Sequence, residues 1–219
     1  MQIDIYSDPV CPWCFIGKRR LERALTARPG FRPTLSWRVF QLNPTMPGEG
    51  MEREAYLAMK FGSPENAQRL YRNIGQVGAI EGIDFRFDRI RVTPNTVDAH
   101  RIIRLGGRTG AAAIVDATVD ALFRAYFFER RDIGDTEVLA TLAAEAGLDP
   151  DAARALLAGD EDIAELRAED MQARRTGIEG VPCFIVNGRY ALSGAQEPEA
   201  FFALFDMAQQ EDRETATGE

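Results

Sequence analysis

The sequence predicts an α/β fold, on three observations. The chain opens with alternating strand residues that run directly into an amphipathic helix. Near the other end, two short apolar runs flank an Asn-Gly pair, the signature of a hairpin. Between them, from about Glu52 to Arg167, apolar residues recur mostly at helical spacing.

Each element has its own local reason. "QIDIYS" alternates Ile3 and Ile5 with polar neighbours and ends in Ser-Asp-Pro, which reads as a strand over 2–7 entering a turn. From Cys11 onward, Ile16, Leu21 and Leu25 fall on one helical face, while Lys18, Arg19, Arg20, Glu22 and Arg23 fill the rest. Pro12 fits only the first turn of such a helix, where its missing N–H would have had no partner. In the middle, "DATVDALFRAYFFER" and "DTEVLATLAAEAGL" keep helical spacing, and Asp135 and Gly147 serve as start and stop signals. The aromatic run Phe123–Phe128 is expected to be core of this helical segment. Late in the chain a strand over Cys183–Val186 turns at Asn187-Gly188 into a second strand over Tyr190–Leu192. Pro182 stands at the start of that strand, where a proline is acceptable. A helix over "PEAFFALFDMAQQ" and a polar tail close the sequence.

Composition narrows the function. Hydrophobic residues make up 45% of the 219 and charged residues 27%, enough for a full core. A net charge of −8 argues against nucleic acid as a partner, although it leaves room for an anion bound locally. "MQIDIYSDPV" lacks the basic start, apolar stretch and small-residue site of a secretory signal, and no apolar run is long enough to cross a bilayer. A cytoplasmic location without membrane contact is therefore expected, in a compartment that keeps thiols reduced.

That expectation sharpens the meaning of Cys11 and Cys14. Two cysteines three positions apart on a first helical turn have Cα atoms close enough for a disulfide. The unsatisfied N–H groups and dipole of the helix tip favour a thiolate there. Structural zinc would need about four ligands. Only Cys183 and the lone His100 remain as soft candidates, so no metal is expected. Packing alone would not explain the strand, turn and proline around the pair. Redox chemistry is the favoured reading, with Cys11 the accessible, low-pKa nucleophile and Cys14 the resolving thiol.

At this point the residues resemble a family. Cys11-Pro12-Trp13-Cys14 after a strand, with Val181-Pro182 before a late hairpin, resembles the DsbA-like branch of the thioredoxin superfamily. "FQLNP" (Phe40–Pro44), "NTVDAHR" (Asn95–Arg101) and "VNGRYALSGAQ" (Val186–Gln196) are similar to its FrnE-like subgroup, related to 2-hydroxychromene-2-carboxylate isomerases and kappa-class glutathione transferases. The resemblance implies a thioredoxin fold with a large helical insertion. The thioredoxin-like domain would be discontinuous, 1–48 and 168–212, with a strand over 33–40. Residues 49–167 would form the inserted helical domain and 213–219 the polar tail. It also implies a cis Val181–Pro182 bond set against the Cys11 sulfur. The Val181 backbone would pair there with an extended peptide or with glutathione.

The implied activity is thiol–disulfide exchange on peptide, protein or glutathione disulfides. No tightly bound cofactor is expected, glutathione is a candidate cosubstrate, and the assembly is a monomer or homodimer. The alternative is a glutathione-dependent isomerase or transferase, but those relatives usually carry serine at the position of Cys11. The Pro-Trp dipeptide also lacks the histidine of strongly oxidising relatives, which implies a milder oxidant or a reductase-isomerase. Trp13 is expected to be partly exposed and to offer substrates an apolar platform. Asn95 is expected near a helix start at the rim of the cleft. Cys183 is expected in the core, and His100 in a structural or capping role.

Overall fold

The computed structural model describes residues 1–217, with side chains through Gln210. The first layer begins as the sequence pattern dictates, with strand β1 at Gln2–Ser7, helix α1 at Pro12–Ala27 and strand β2 at Thr34–Val39. A minor two-stranded sheet follows, β3 at Met51–Glu52 pairing antiparallel with β4 at Val92–Thr93. Between its strands lie α2 (Arg53–Phe61) and α3 (Pro64–Ile80). Then come α4 (Val97–Arg108), α5 (Ala112–Phe127), α6 (Thr136–Glu145), α7 (Pro150–Leu157) and α8 (Ile163–Arg175). The chain returns to the main sheet with β5 (Cys183–Val186) and β6 (Tyr190–Ser193) and ends in α9, Pro198–Thr217.

The main sheet has the order β2-β1-β5-β6. β1 runs parallel to β2, which requires the α1 crossover, and antiparallel to β5. The β5–β6 hairpin closes over Asn187–Arg189, with Asn187 (φ 49°) and Gly188 (φ 69°) both left-handed and the Arg189 N–H donating to the Val186 carbonyl at 3.0 Å. Ile3 and Ile5 point to one face, as the two-residue period of a strand requires, and pack with Phe184, Phe201 and Phe205. No helix among the described residues is long and apolar enough to cross a membrane.

α1 belongs to two cores at once. Leu21 and Ala24 join the cluster under α9, whereas Cys14, Phe15 and Ile16 join a larger cluster built from α4, α5 and α6. Phe15, fully buried, stacks on Phe123 at 4.9 Å between centroids. Burying such a ring contributes about 1.5–3 kcal/mol, so the helix carrying the cysteines is anchored directly to the helical segment.

Three details differ from the sequence expectation. α8 is one continuous helix packed on both α4 and β2, so a boundary at 167/168 falls inside it. The Met51–Glu52 and Val92–Thr93 pairing had no sequence signal, because two-residue strands carry no period. α9 continues through Thr217, so the tail assigned to 213–219 is helical over 213–217, and 218–219 lie outside the described residues.

Candidate active site

The site starts where β1 ends. After Ser7 the chain turns, with the Cys11 N–H donating to the Asp8 carbonyl at 2.9 Å. Cys11 becomes the N-cap of α1 and Pro12 its first helical residue. The Cys11 carbonyl accepts the N–H groups of Cys14 (3.1 Å) and Phe15 (3.4 Å). Pro12 thus removes one of the N–H groups that would otherwise lack a partner, at the position where a proline costs least.

The two thiols are unpaired and unequal. Cys14, 2% exposed, lies one turn inside the helix. Burial pushes its thiol well up, the hydrogen bond with Cys11 pushes the same way, and bonds to the Asp8 backbone and the Ser7 hydroxyl partly oppose. Cys11 is 3% exposed, which corrects the expectation of an accessible thiol. The cause is a distant segment. The Cys11 thiol donates to the Val181 carbonyl across 3.7 Å, and half-buried Val10, Trp13 and Val181 wall the pair.

Val181–Pro182 is a cis peptide and lies beside Cys11, as the family resemblance implied. Pro182 is buried and packs on α1 at Gly17, where a Cβ would stand only 2.9 Å from Pro182 Cγ and 3.1 Å from Phe184 Cζ. Glycine at 17 is what lets the β5 end approach the cysteine helix. Trp13 is half-buried, in keeping with the partial exposure expected of it. Asn95 spends its amide on the protein itself. Its Nδ2 donates to the Met46 carbonyl at 2.7 Å and its Oδ1 accepts the Val97 N–H at 3.0 Å. Cys183 packs with Phe40, Ala173 and Ile178, and burial raises its thiol as well.

Several neighbours of the pair carry no recognisable sequence motif. Asp8 is fully buried, and its carboxylate accepts N–H groups from Leu42 (2.7 Å) and Val10 (3.3 Å) and a bond from the Thr96 side chain. Burial raises it from 3.8 to about 6, against the lowering effect of those three bonds. Arg53, at the start of α2, is 7% exposed and has no carboxylate partner among the described residues. One of its Nη atoms donates to Thr93 Oγ1 (2.9 Å) and the Tyr126 hydroxyl (3.4 Å), and its Nε has no partner. The guanidinium lies 5.1 Å from the Tyr71 ring centre and 5.6 Å from that of Tyr56. Tyr71 links this cation to the thiols. Burial raises its hydroxyl, Arg53 opposes, and the nearby charge of Cys11 adds to the rise.

The fold and this dithiol at a helix tip define a thioredoxin-type α/β protein. A model of the DSBA-like thioredoxin domain matches residues 2–205, and the chain belongs to that family. A crystal structure of a probable DsbA oxidoreductase from Streptomyces coelicolor is 36% identical and superposes with a TM-score of 0.86, covering 96% of this chain and 91% of that one. The uncharacterized protein YwbO of Bacillus subtilis (strain 168) is 26% identical over 203 residues, 92% of this chain and 94% of its own. The cytosolic disulfide reductase DsbM of Pseudomonas aeruginosa, solved with GSH, shares the fold at 21% identity. Its TM-score is 0.65, over 96% of this chain and all of that one.

Proposed function

We propose that this protein is a cytoplasmic thiol–disulfide oxidoreductase acting on peptide or glutathione disulfides through Cys11 and Cys14. The carrying observation is the unequal pair: a helix-tip Cys11 facing the Val181 carbonyl, and a deeper Cys14 whose thiol burial holds protonated. Cys11 as thiolate attacks one sulfur of the substrate, forming a mixed disulfide and releasing the other substrate sulfur as a thiolate. Cys14 then gives up its proton, attacks the Cys11 sulfur and releases the second substrate thiol. The Cys11–Cys14 disulfide that remains is reduced by an external thiol. The raised Cys14 suits this order, because a thiol that stays protonated does not compete with Cys11 for incoming disulfides.

The Val181 backbone pairs with the substrate strand, Pro182 packs that segment against α1 at Gly17, and Trp13 supplies an apolar wall. Entry of the substrate displaces the Cys11 thiol from the Val181 carbonyl. The buried and uncompensated Arg53 favours an anionic substrate, which supports glutathione disulfide or an acidic peptide as the physiological partner. In this reading the helical segment between β3 and α8 supplies Arg53 and Tyr71, while Asn95 holds the loop at Met46.

The test is turnover of glutathione disulfide and insulin with a regenerating thiol. Wild-type protein turns over and Cys11→Ser does not. Equal activity in the two proteins would refute the assignment.

A further inference from the structure

One buried residue reaches both cysteines. The Asp8 carbonyl accepts the Cys11 N–H at 2.9 Å, and the Asp8 N–H bonds to the Cys14 sulfur. Burial pushes the Cys14 thiol up, and the Asp8 N–H, with the Ser7 hydroxyl, opposes that rise by stabilising the thiolate. The position of this one peptide therefore sets how readily Cys14 gives up its proton.

The Asp8 side chain ties that peptide to three segments. It is fully buried, and its Oδ1 accepts the Val10 N–H at 3.3 Å inside the turn. Its Oδ2 accepts the Leu42 N–H at 2.7 Å from the chain beyond β2, and the Thr96 side chain bonds to it from the start of α4. Thr96 is the N-cap of α4, yet its hydroxyl makes no capping bond, and Asn95 Oδ1 takes the Val97 N–H instead. A hydroxyl whose usual use is to cap its own helix is spent on Asp8.

The charge of Asp8 is kept against the stability of the fold. Burial raises the carboxyl from 3.8 to about 6 in spite of its three bonds, and Asp170 of α8 adds to the rise. Tyr56 of α2 also faces this charge. Protonation, or Asp8→Asn, turns one of the two acceptor oxygens into a donor that confronts an N–H. The peptide is then free to move off the Cys14 sulfur.

We propose that Asp8 is a positioning residue for the resolving step, its carboxylate holding the Asp8 N–H on the Cys14 sulfur. The assignment rests on the dithiol reading above and adds to it. In that step the Cys14 sulfur bonds to the Cys11 sulfur and the bond from Cys11 to the substrate sulfur breaks. The dithiol is oxidised, the substrate sulfur is reduced, and the Cys14 proton ends on the departing thiol.

Rapid mixing with glutathione disulfide, acid quenching and intact-mass measurement separate the two halves of the exchange. In a Cys14→Ser background the Cys11 adduct forms at the same rate with and without Asp8→Asn. With Cys14 present, the transient adduct decays about tenfold more slowly in Asp8→Asn than in wild type at about pH 7.5. That ratio falls toward one at about pH 5, where the wild-type carboxylate is protonated. A merely structural role fails this pattern, because the stability of Asp8→Asn relative to wild type improves as pH rises over the same range. Thr96→Val serves if Asp8→Asn fails to fold: adduct decay slows severalfold and Thr96→Ser restores it. The assignment is overturned if the Asp8→Asn adduct decays at the wild-type rate, if the ratio is the same at both pH values, or if adduct formation slows equally. Equal decay in Thr96→Val and Thr96→Ser overturns it as well. Absence of any adduct on Cys14→Ser overturns the dithiol reading and this assignment with it.

Discussion

Replacing Asp8 by Asn and His100 by Asn separates two buried titrations of opposite sign. Asp8 moves from 3.8 in the unfolded chain to about 6 in the fold, and His100 from 6.5 to about 4. Burial leads in both cases, and Asp170 faces both groups while Arg104 faces His100. At about 1.4 kcal/mol per tenfold change, each shift is worth about 3 kcal/mol. An acid raised in the fold contributes stability that is full below its unfolded value and lost as pH rises through its folded one. Asp8 therefore takes away about 3 kcal/mol between pH 3.8 and about 6. A base depressed in the fold contributes stability that is full above its unfolded value and lost as pH falls through its folded one. His100 therefore adds about 3 kcal/mol as pH rises from about 4 to 6.5. Over most of that window the two slopes cancel in the wild type. Urea unfolding at half-unit steps from pH 4 to 7 reads the differences directly. The stability of Asp8→Asn relative to wild type rises by about 3 kcal/mol from pH 4 to 6, and that of His100→Asn falls by a similar amount. A flat Asp8→Asn difference would show that this carboxyl titrates normally in the fold. A rising His100→Asn difference would show that the imidazole is charged there, and either result would refute the reasoning.

In the proposed chemistry Cys14 is the resolving thiol, so with Cys14→Ser glutathione disulfide should leave a stoichiometric glutathione adduct on Cys11, visible as an intact-mass increase, while turnover stops. Arg53→Met should raise KM for glutathione disulfide about tenfold with kcat little changed, since a charge-assisted contact to substrate contributes to binding before chemistry. An unchanged KM would remove Arg53 from the site. Gly17→Ala places a methyl 2.9 Å from Pro182 Cγ, an overpacking that should cost ~1–3 kcal/mol, seen as a lower urea midpoint at constant m-value.

The cysteine pair was legible because its whole context is contiguous: a strand, a turn, and a proline that only a first turn accepts. The hairpin at Asn187-Gly188 was legible for the same reason, since two adjacent left-handed residues specify one kind of turn. The approach of Val181 to Cys11 came from family resemblance alone, because no local pattern at Val181 says which sulfur it will face. The burial of Cys11 was missed on the same physical ground. Exposure at a helix tip is decided by whatever the distant chain lays over it, here a carbonyl 170 positions away. Asp8 read as part of a Ser-Asp-Pro turn. Its burial is made by Leu42 and Thr96, which arrive from two other segments. Arg53 carries no motif in the sequence, and only the Tyr56, Tyr71, Tyr126 and Thr93 shell around it removes water.

α1 holds these pieces together because its two faces pack on different halves of the molecule. Leu21 and Ala24 fix it to the sheet and α9, while Phe15 fixes it to α5. The tip that carries Cys11 therefore lies where the β5 end and the helical segment both reach it, the first through Val181 and the second through Tyr71 and Arg53. In the proposed chemistry the first contact comes from a backbone carbonyl, whose position any side chain at 181 preserves. The second comes from side chains alone. Substitutions in α2 and α3 should thus change which disulfide is accepted while leaving the exchange itself intact. Substitutions at Gly17 or Pro182, which set how closely the carbonyl approaches the thiol, should slow exchange with every substrate alike. A parallel kcat/KM series on glutathione disulfide and insulin, with Arg53→Met beside Gly17→Ala, distinguishes the two. A ratio between substrates that shifts with Gly17→Ala and stays constant with Arg53→Met would invert the argument.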